Sequence, residues 1–122
     1  MVKKILIVDD EPSITIPLKF LMEQNHFEVM VAHTGEEALL AIESFVPDLV
    51  LLDIMLPTVD GFQVCQQLKS DSKRKKTKVI FLSAMTRDID LAKGNTLGAD
   101  AYITKPFSNA DVVKQVKDLL SR

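Results

Sequence analysis

The chain is predicted to be an α/β protein: a single doubly wound sheet of five parallel strands with five helices. Two observations carry that prediction. Short apolar, β-branched runs recur at Ile5–Val8, Val29–Ala32, Leu49–Leu52, Val79–Leu82 and, less strongly, Ala101–Thr104. Between them lie segments whose apolar residues recur at helical spacing, so strand and helix alternate from end to end. Such alternation puts the strands in one parallel sheet with helices on both faces.

The helical segments can be justified in order. Ile14, Leu18, Leu21 and Met22 share one face of the first, and Ala38, Ala41, Ile42 and Phe45 one face of the second. Phe62, Cys65 and Leu68 stripe the third. The fourth, about Asp88 to Leu97, is the poorest, because Gly94 and Asn95 stand where helix formers are expected. Val112, Val113, Val116, Leu119 and Leu120 make the last. Asp10 with Pro12 suits the start of the first helix. Thr34 with Glu37 has capping-box spacing for the second, and Ser108 with Asp111 a looser version for the last. Pro17 falls inside the first helix and predicts a local kink. Gly35, Gly61 and Gly98 fall at element junctions.

Composition narrows the function classes. The chain has 122 residues, one domain's worth, with no linker or second composition, so residues 1–122 read as one domain. A net charge of -2 is too mild to recruit nucleic acid or membrane electrostatically. Cys65 is the single cysteine and reads as core. No apolar run is long enough to span a bilayer, and Asp9 and Asp10 interrupt the N-terminal run too early for a signal peptide, so a cytoplasmic location is expected. His26 and His33 read as surface residues. Lys69, Lys73, Arg74, Lys75, Lys76 and Lys78 make a basic run that reads as a solvated loop, with an acidic partner as the other reading.

The chemistry is read from the strand ends. The first run ends in Asp9-Asp10-Glu11, the third in Asp53, the fourth in Ser83 and the fifth in Lys105-Pro106. In a parallel sheet these ends share one edge, the edge where open α/β sheets bind ligands. Carboxylates gathered there repel unless a cation sits among them. Oxygen donors without a His/Cys cluster suit a hard ion, Mg²⁺ or Mn²⁺. Lys105 and Ser83 then suit an anion sharing the site. Acid, dication, lysine and hydroxyl form a phosphoryl-transfer set with Asp53 as nucleophile.

These residues also carry a resemblance. Ile5-Leu6-Ile7-Val8-Asp9-Asp10-Glu11, Pro47 through Pro57 around Asp53, Asp60-Gly61, Leu82-Ser83-Ala84, and Gly98-Ala99-Asp100-Ala101-Tyr102 leading to Thr104-Lys105-Pro106-Phe107 together resemble the receiver domain of two-component response regulators over essentially the whole chain. The resemblance implies a flavodoxin-like sheet of order 2-1-3-4-5. It implies that Asp53 accepts a phosphoryl group from a histidine kinase or phosphotransfer protein, and that Asp10 ligates Mg²⁺ directly with Asp9 acting through water. The Met55 backbone carbonyl is then the third protein ligand. Lys105 pairs with the phosphate, Ser83 binds a phosphoryl oxygen, Tyr102 is the switch aromatic, and the bond before Pro106 is cis.

Departures from the family pattern carry expectations of their own. Met55 and Met85, two residues past Asp53 and Ser83, should slow self-dephosphorylation by hindering water. Ala101 and Gln115 stand where receivers that pair through their fourth and fifth helices carry an acid and an arginine, so a monomer or another dimer mode is expected. The reader of the signal is then a downstream protein or an effector domain outside this chain. An aspartyl-phosphate phosphatase would need an acid where Met55 stands. A receiver-like binding module without phosphorylation would not need the acid cluster and Lys105.

Overall fold

The computed structural model describes residues 2–84 and 87–121. Strands β1 (Lys4–Val8), β2 (Glu28–Ala32), β3 (Leu49–Asp53), β4 (Lys78–Ser83) and β5 (Ala101–Thr104) alternate with helices α1 (Pro12–Gln24), α2 (Gly35–Phe45), α3 (Gly61–Ser70), α4 (Asp88–Thr96) and α5 (Asn109–Leu120). Neighbouring strands are all parallel, in the order β2-β1-β3-β4-β5. The order reverses between β1 and β3, which opens the ligand crevice of this fold at their carboxyl ends. With β2 at the edge, the exposed His33 lies away from that crevice. No described helix is long and apolar enough to cross a membrane.

Strand alternation divides the core into two layers. Leu6, Val8, Val50, Leu52, Val79 and Phe81 pack with Ala38, Ile42, Phe62, Cys65 and Leu68 of α2 and α3. Ile5, Ile7, Leu49, Leu51, Ile80 and Leu82 pack with Leu18, Met22, Val112, Val116 and Leu119 of α1 and α5. Every residue of β3 is buried, and its first four, Leu49–Leu52, are apolar without alternation. The third helix's cysteine is core, as its stripe predicts: Cys65 is fully buried, and burial pushes its thiol up to about 11.

Four local details refine the sequence reading. First, α1 continues through Pro17, which stands inside the helix. The missing amide would have reached the Ser13 carbonyl in the first turn, and Pro17 is exposed, so water can serve that carbonyl. Second, the Thr34 hydroxyl accepts the Glu37 N–H at 3.0 Å and donates to the Glu37 carboxylate at 3.4 Å, which is one half of a capping box. The complete box is at α3, where Asp60 accepts the Gln63 N–H and the Gln63 side chain accepts the Asp60 N–H, both at 2.9 Å. Third, the basic run is only partly solvated. Lys69 donates to the Thr77 carbonyl (2.7 Å) and Asp100 (3.3 Å), Arg74 pairs with Glu43, and Lys78 lies 3.9 Å from Asp100. Lys73, Lys75 and Lys76 are the exposed remainder. Asp100 also accepts the Val79 N–H at 2.9 Å, so it fastens the start of β4 to the turn before β5. Fourth, Gly94 is a fit and not a flaw: a Cβ there would lie 3.3 Å from the Phe81 ring and 3.4 Å from that of Tyr102.

The α2 C-terminus carries a strained residue. Val46 adopts φ 53° and ψ 65°, the left-handed region that β-branched residues disfavour. Its side chain is 46% exposed and gives the core little in return. Val46→Gly is therefore expected to stabilise the chain by about 1 kcal/mol, a melting rise of roughly 4 °C. Urea and thermal unfolding would show it, and a loss of stability would contradict the assignment of strain.

Candidate functional site

The crevice between β1 and β3 receives the acids. Asp53 is the last residue of β3 and is 4% exposed; Asp9 follows β1 and is fully buried; Asp10 is exposed beside it. One carboxylate oxygen from each of Asp9, Asp10 and Asp53 lies within 4.8 Å of the others. Lys105, just past β5, reaches across to them. Its ammonium is 2.9 Å from Asp9, 3.4 Å from Glu11 and 3.6 Å from Asp53. The peptide bond from Lys105 to Pro106 is cis, and the Lys105 N–H donates to the Ser83 carbonyl at 2.9 Å, which ties this turn to the end of β4.

Strand parity explains which groups meet. Ile5, Ile7, Leu49, Leu51 and Ile103 belong to the layer under α1 and α5. Continuing each strand by two residues gives Asp9, Asp53 and Lys105. Val79 and Phe81 belong to the other layer, with Tyr102 packed against it. The next residue of that parity on β4 is Ser83, and Tyr102 is hydrogen-bonded to it. The strand ends therefore form two joined groups: acids with the lysine, and the hydroxyl pair on the α4 side. Tyr102 is half-buried and its ring lies 5.9 Å from that of Phe81.

The electrostatics are those of an under-neutralised site. Burial holds the Asp53 carboxyl above its ordinary value; Lys105 pulls it down, Asp9 pushes it up, and the Met55 N–H, 3.3 Å from Asp53 Oδ1, pulls it down. The net direction is upward because burial, aided by the charge of Asp9, outweighs an ammonium that lies closer to Asp9 than to Asp53. Burial lowers the Lys105 ammonium, but the hydrogen bond to Asp9 and the charges of Asp53, Asp9 and Glu11 outweigh it, so Lys105 is firmly protonated. Burial raises the Tyr102 phenol, its hydrogen bond to Ser83 opposes this, and the charges of Asp90 and Asp53 add to it.

The donor set fits a hard dication. It offers carboxylate oxygens, and among the described residues no hydrogen bond is donated to the Met55 carbonyl. Asp9 is the acid least available as a direct ligand, since Lys105 holds one oxygen and the Glu11 N–H the other at 3.0 Å. Two partners are additions to the sequence reading. Glu11 is a second acid on Lys105, and its adjacency to Asp9-Asp10 was the only signal. Arg87 makes a two-pronged pair with the buried Asp90 at 3.0 and 3.2 Å, a spacing of three residues that any helix start might show. Of the two methionines expected to flank the phosphoryl position, Met55 is exposed, and Met85 lies outside the described residues.

Asp53→Asn is expected to stabilise the metal-free chain at neutral pH. The folded chain holds the Asp53 proton more tightly than the unfolded chain, whose ordinary value is near 3.8, so the charge costs stability as pH rises through and above that value. Urea titrations in chelator should show the gain near pH 7 and show it shrinking as pH falls toward 4. A gain that grows in acid would reverse the assignment.

Comparison with known proteins agrees with this geometry. Residues 5–117 match the response regulator receiver domain family. The chain is 44% identical over its full length to the alkaline phosphatase synthesis transcriptional regulatory protein PhoP of Bacillus subtilis, and spans 50% of that protein. Among solved structures, a CheY-like response regulator receiver domain protein from Methanospirillum hungatei superposes with a TM-score of 0.93 at 32% identity, covering 99% of this chain and 95% of that one. The BeF3-activated N-terminal receiver domain of Klebsiella pneumoniae RstA gives 0.89 at 28%, covering 98% and 100%. The chain belongs to the response regulator receiver domain family, the signalling-switch module of two-component systems.

Proposed function

We propose that Asp53 is the phosphoacceptor of this receiver. The observation that carries the reading is Lys105, whose ammonium stands 3.6 Å from Asp53 while anchored on the buried Asp9 at 2.9 Å. In the reaction, a carboxylate oxygen of Asp53 attacks the phosphorus of a phosphohistidine on a histidine kinase or phosphotransfer protein. The P–N bond breaks, its electron pair leaves with the imidazole, and an acyl phosphate remains on Asp53. Lys105 supplies a fixed positive charge to the incoming phosphoryl oxygens. Asp53, Asp10 and the Met55 carbonyl would hold Mg²⁺ or Mn²⁺, with Asp9 contributing through water; when bound, the ion neutralises charge on the transferring group.

The readout follows from Ser83. Its hydroxyl is shared with Tyr102 before phosphorylation and would bind a phosphoryl oxygen after it. The bond that holds Tyr102 thus competes with the bond that reports the phosphate. The surface that changes is the one around Ser83, Tyr102, α4 and β5. A downstream protein or an effector domain would read it, in the cytoplasm. The regulator PhoP is twice this chain's length, which makes an effector segment one such reader. Ala101 and Gln115 cannot form an acid–arginine pair across a shared α4–β5–α5 interface, so a monomer or another pairing mode is favoured. A net charge of -2 gives no electrostatic ground for a nucleic-acid or membrane partner.

Incubation with Mg²⁺ and acetyl phosphate, followed by intact mass, should show one added phosphoryl group per chain, lost in Asp53→Asn and in metal chelator. Continuous hydrolysis without an adduct would instead indicate a phosphatase, and no adduct at all a binding module. Met55→Asn should shorten the lifetime of that adduct about threefold to tenfold, since one longer apolar side chain on the open side accounts for no more than ~1.4 kcal/mol of barrier. An unchanged decay rate by phosphate release would remove Met55 from that role.

A further inference from the structure

Asp90 is a buried acid with no part in the phosphoryl transfer. It stands in the first turn of α4 with 5% of its surface exposed. Arg87 meets it with two N–H groups, one on each carboxylate oxygen, at 3.0 and 3.2 Å. The pairing favours the ionised carboxylate and fixes the plane of its oxygens. It does not exhaust them. Among the described residues each oxygen accepts one hydrogen bond, and a carboxylate oxygen can accept two. The face of α4 that carries Asp90 also packs on Tyr102. Asp90 and Gly94 are four residues apart and share that face, and a Cβ on Gly94 would lie 3.4 Å from the Tyr102 ring. Because α4 follows β4, its first turn starts at the carboxyl edge of the sheet, the edge where the Tyr102 hydroxyl meets Ser83. There the phenol is reached by Ser83 through a hydrogen bond and by Asp90 through its charge.

We propose that Asp90 is a positioning residue of the switch: when Ser83 turns to a phosphoryl oxygen, the Tyr102 hydroxyl donates to the Asp90 carboxylate, which Arg87 holds in place. The inference rests on the reading that Asp53 is phosphorylated and Ser83 binds the phosphoryl group. Without Ser83, a half-buried phenol lacks the partner it had, and leaving it unmade is costly. The spare capacity of Asp90 meets that need, and a hydrogen bond to an ionised acceptor is stronger than one between neutral hydroxyls. No covalent bond breaks and no proton changes owner in the exchange. Asp90 and Arg87 both belong to the start of α4, so the new bond ties that turn to the phosphorylated arrangement of β5.

Tyr102 is the single tyrosine and the chain has no tryptophan, so the near-ultraviolet tyrosine band and its emission report on this phenol alone. A phenol that donates to a carboxylate absorbs farther to the red and emits less. The full chain is treated with Mg²⁺ and acetyl phosphate at neutral pH, and intact mass counts the adduct. In step with the adduct, the wild-type band should shift to the red and the emission should fall. At equal adduct, Asp90→Asn should lose both changes. Its amide oxygen is a neutral acceptor, which lowers the preference of the hydroxyl for this residue about tenfold. A wild-type chain that carries the adduct while its tyrosine band stays unmoved overturns the proposal, and that arm needs no variant. So does an Asp90→Asn chain whose band moves as far as the wild type's, since the hydroxyl would then have turned to water or to another group. If no adduct forms, the phosphoacceptor reading falls and this inference falls with it.

Discussion

The ammonium of Lys105 is the contact on which the rest of the site depends. Asp9 has no exposed surface, and an unpaired buried carboxylate typically costs about 3–5 kcal/mol. Lys105 meets that demand from 96 residues away along the chain. It can do so only because β1 and β3 lie adjacent and β5 closes the same edge of the sheet. The pairing is thus both a structural requirement and a chemical device: whatever fixes Asp9 also fixes a positive charge beside Asp53. Glu11 draws on the same ammonium at 3.4 Å, which leaves Asp53 the least compensated acid of the three.

That imbalance gives the fold its division of labour. On one strand parity stand Asp9, Asp53 and Lys105, which handle charge. On the other stand Phe81, Ser83 and Tyr102, which pack and hydrogen-bond. The two meet at the ends of β3 and β4, where Asp53 is in register with Leu82, one residue before Ser83. A charge placed on Asp53 therefore lies one residue out of phase with the hydroxyl that would sense it. Gly94 allows this second layer to be tight, since α4 comes close enough to Phe81 and Tyr102 that a methyl group would press on both rings.

How much of this the sequence could show depended on the kind of signal. The strands were legible because each is an apolar run of five residues or so, and β3 especially because it is buried on both faces. The acids and Lys105 were legible as strand ends. Their convergence follows from any parallel sheet, but which strands are neighbours does not follow from periodicity; the order 2-1-3-4-5 rested on resemblance. Glu11, Arg87 and Asp90 were not legible as partners, because a charge next to a motif looks like any solvated charge until its neighbours are known. The same blindness made Lys69, Arg74 and Lys78 look like loop residues when each is fastened to an acid or a carbonyl. Gly94 was misjudged in the opposite direction: propensity counts the entropy lost, whereas the two rings beside Gly94 decide what that loss means.

The site is also asymmetric in access, and this bears on whether it turns over or stores. On one side Lys105 is hemmed in by Asp9 and Glu11 and is mostly covered, with 14% of its side chain exposed. On the other side Asp10 and Met55 border an open groove. If Asp53 is the phosphoacceptor, the wider approach for a phosphoryl donor or a hydrolytic water would be the groove on the Met55 side. Hydrolysis needs an activated water in line with the acyl phosphate, and a general base would have to stand there to supply it. The residue in that position is a thioether, which can neither take nor give a proton. On the proposed reading, the same opening would admit a phosphohistidine, which brings its own reactive bond, more readily than it would activate water, as expected of a site that holds a phosphoryl group.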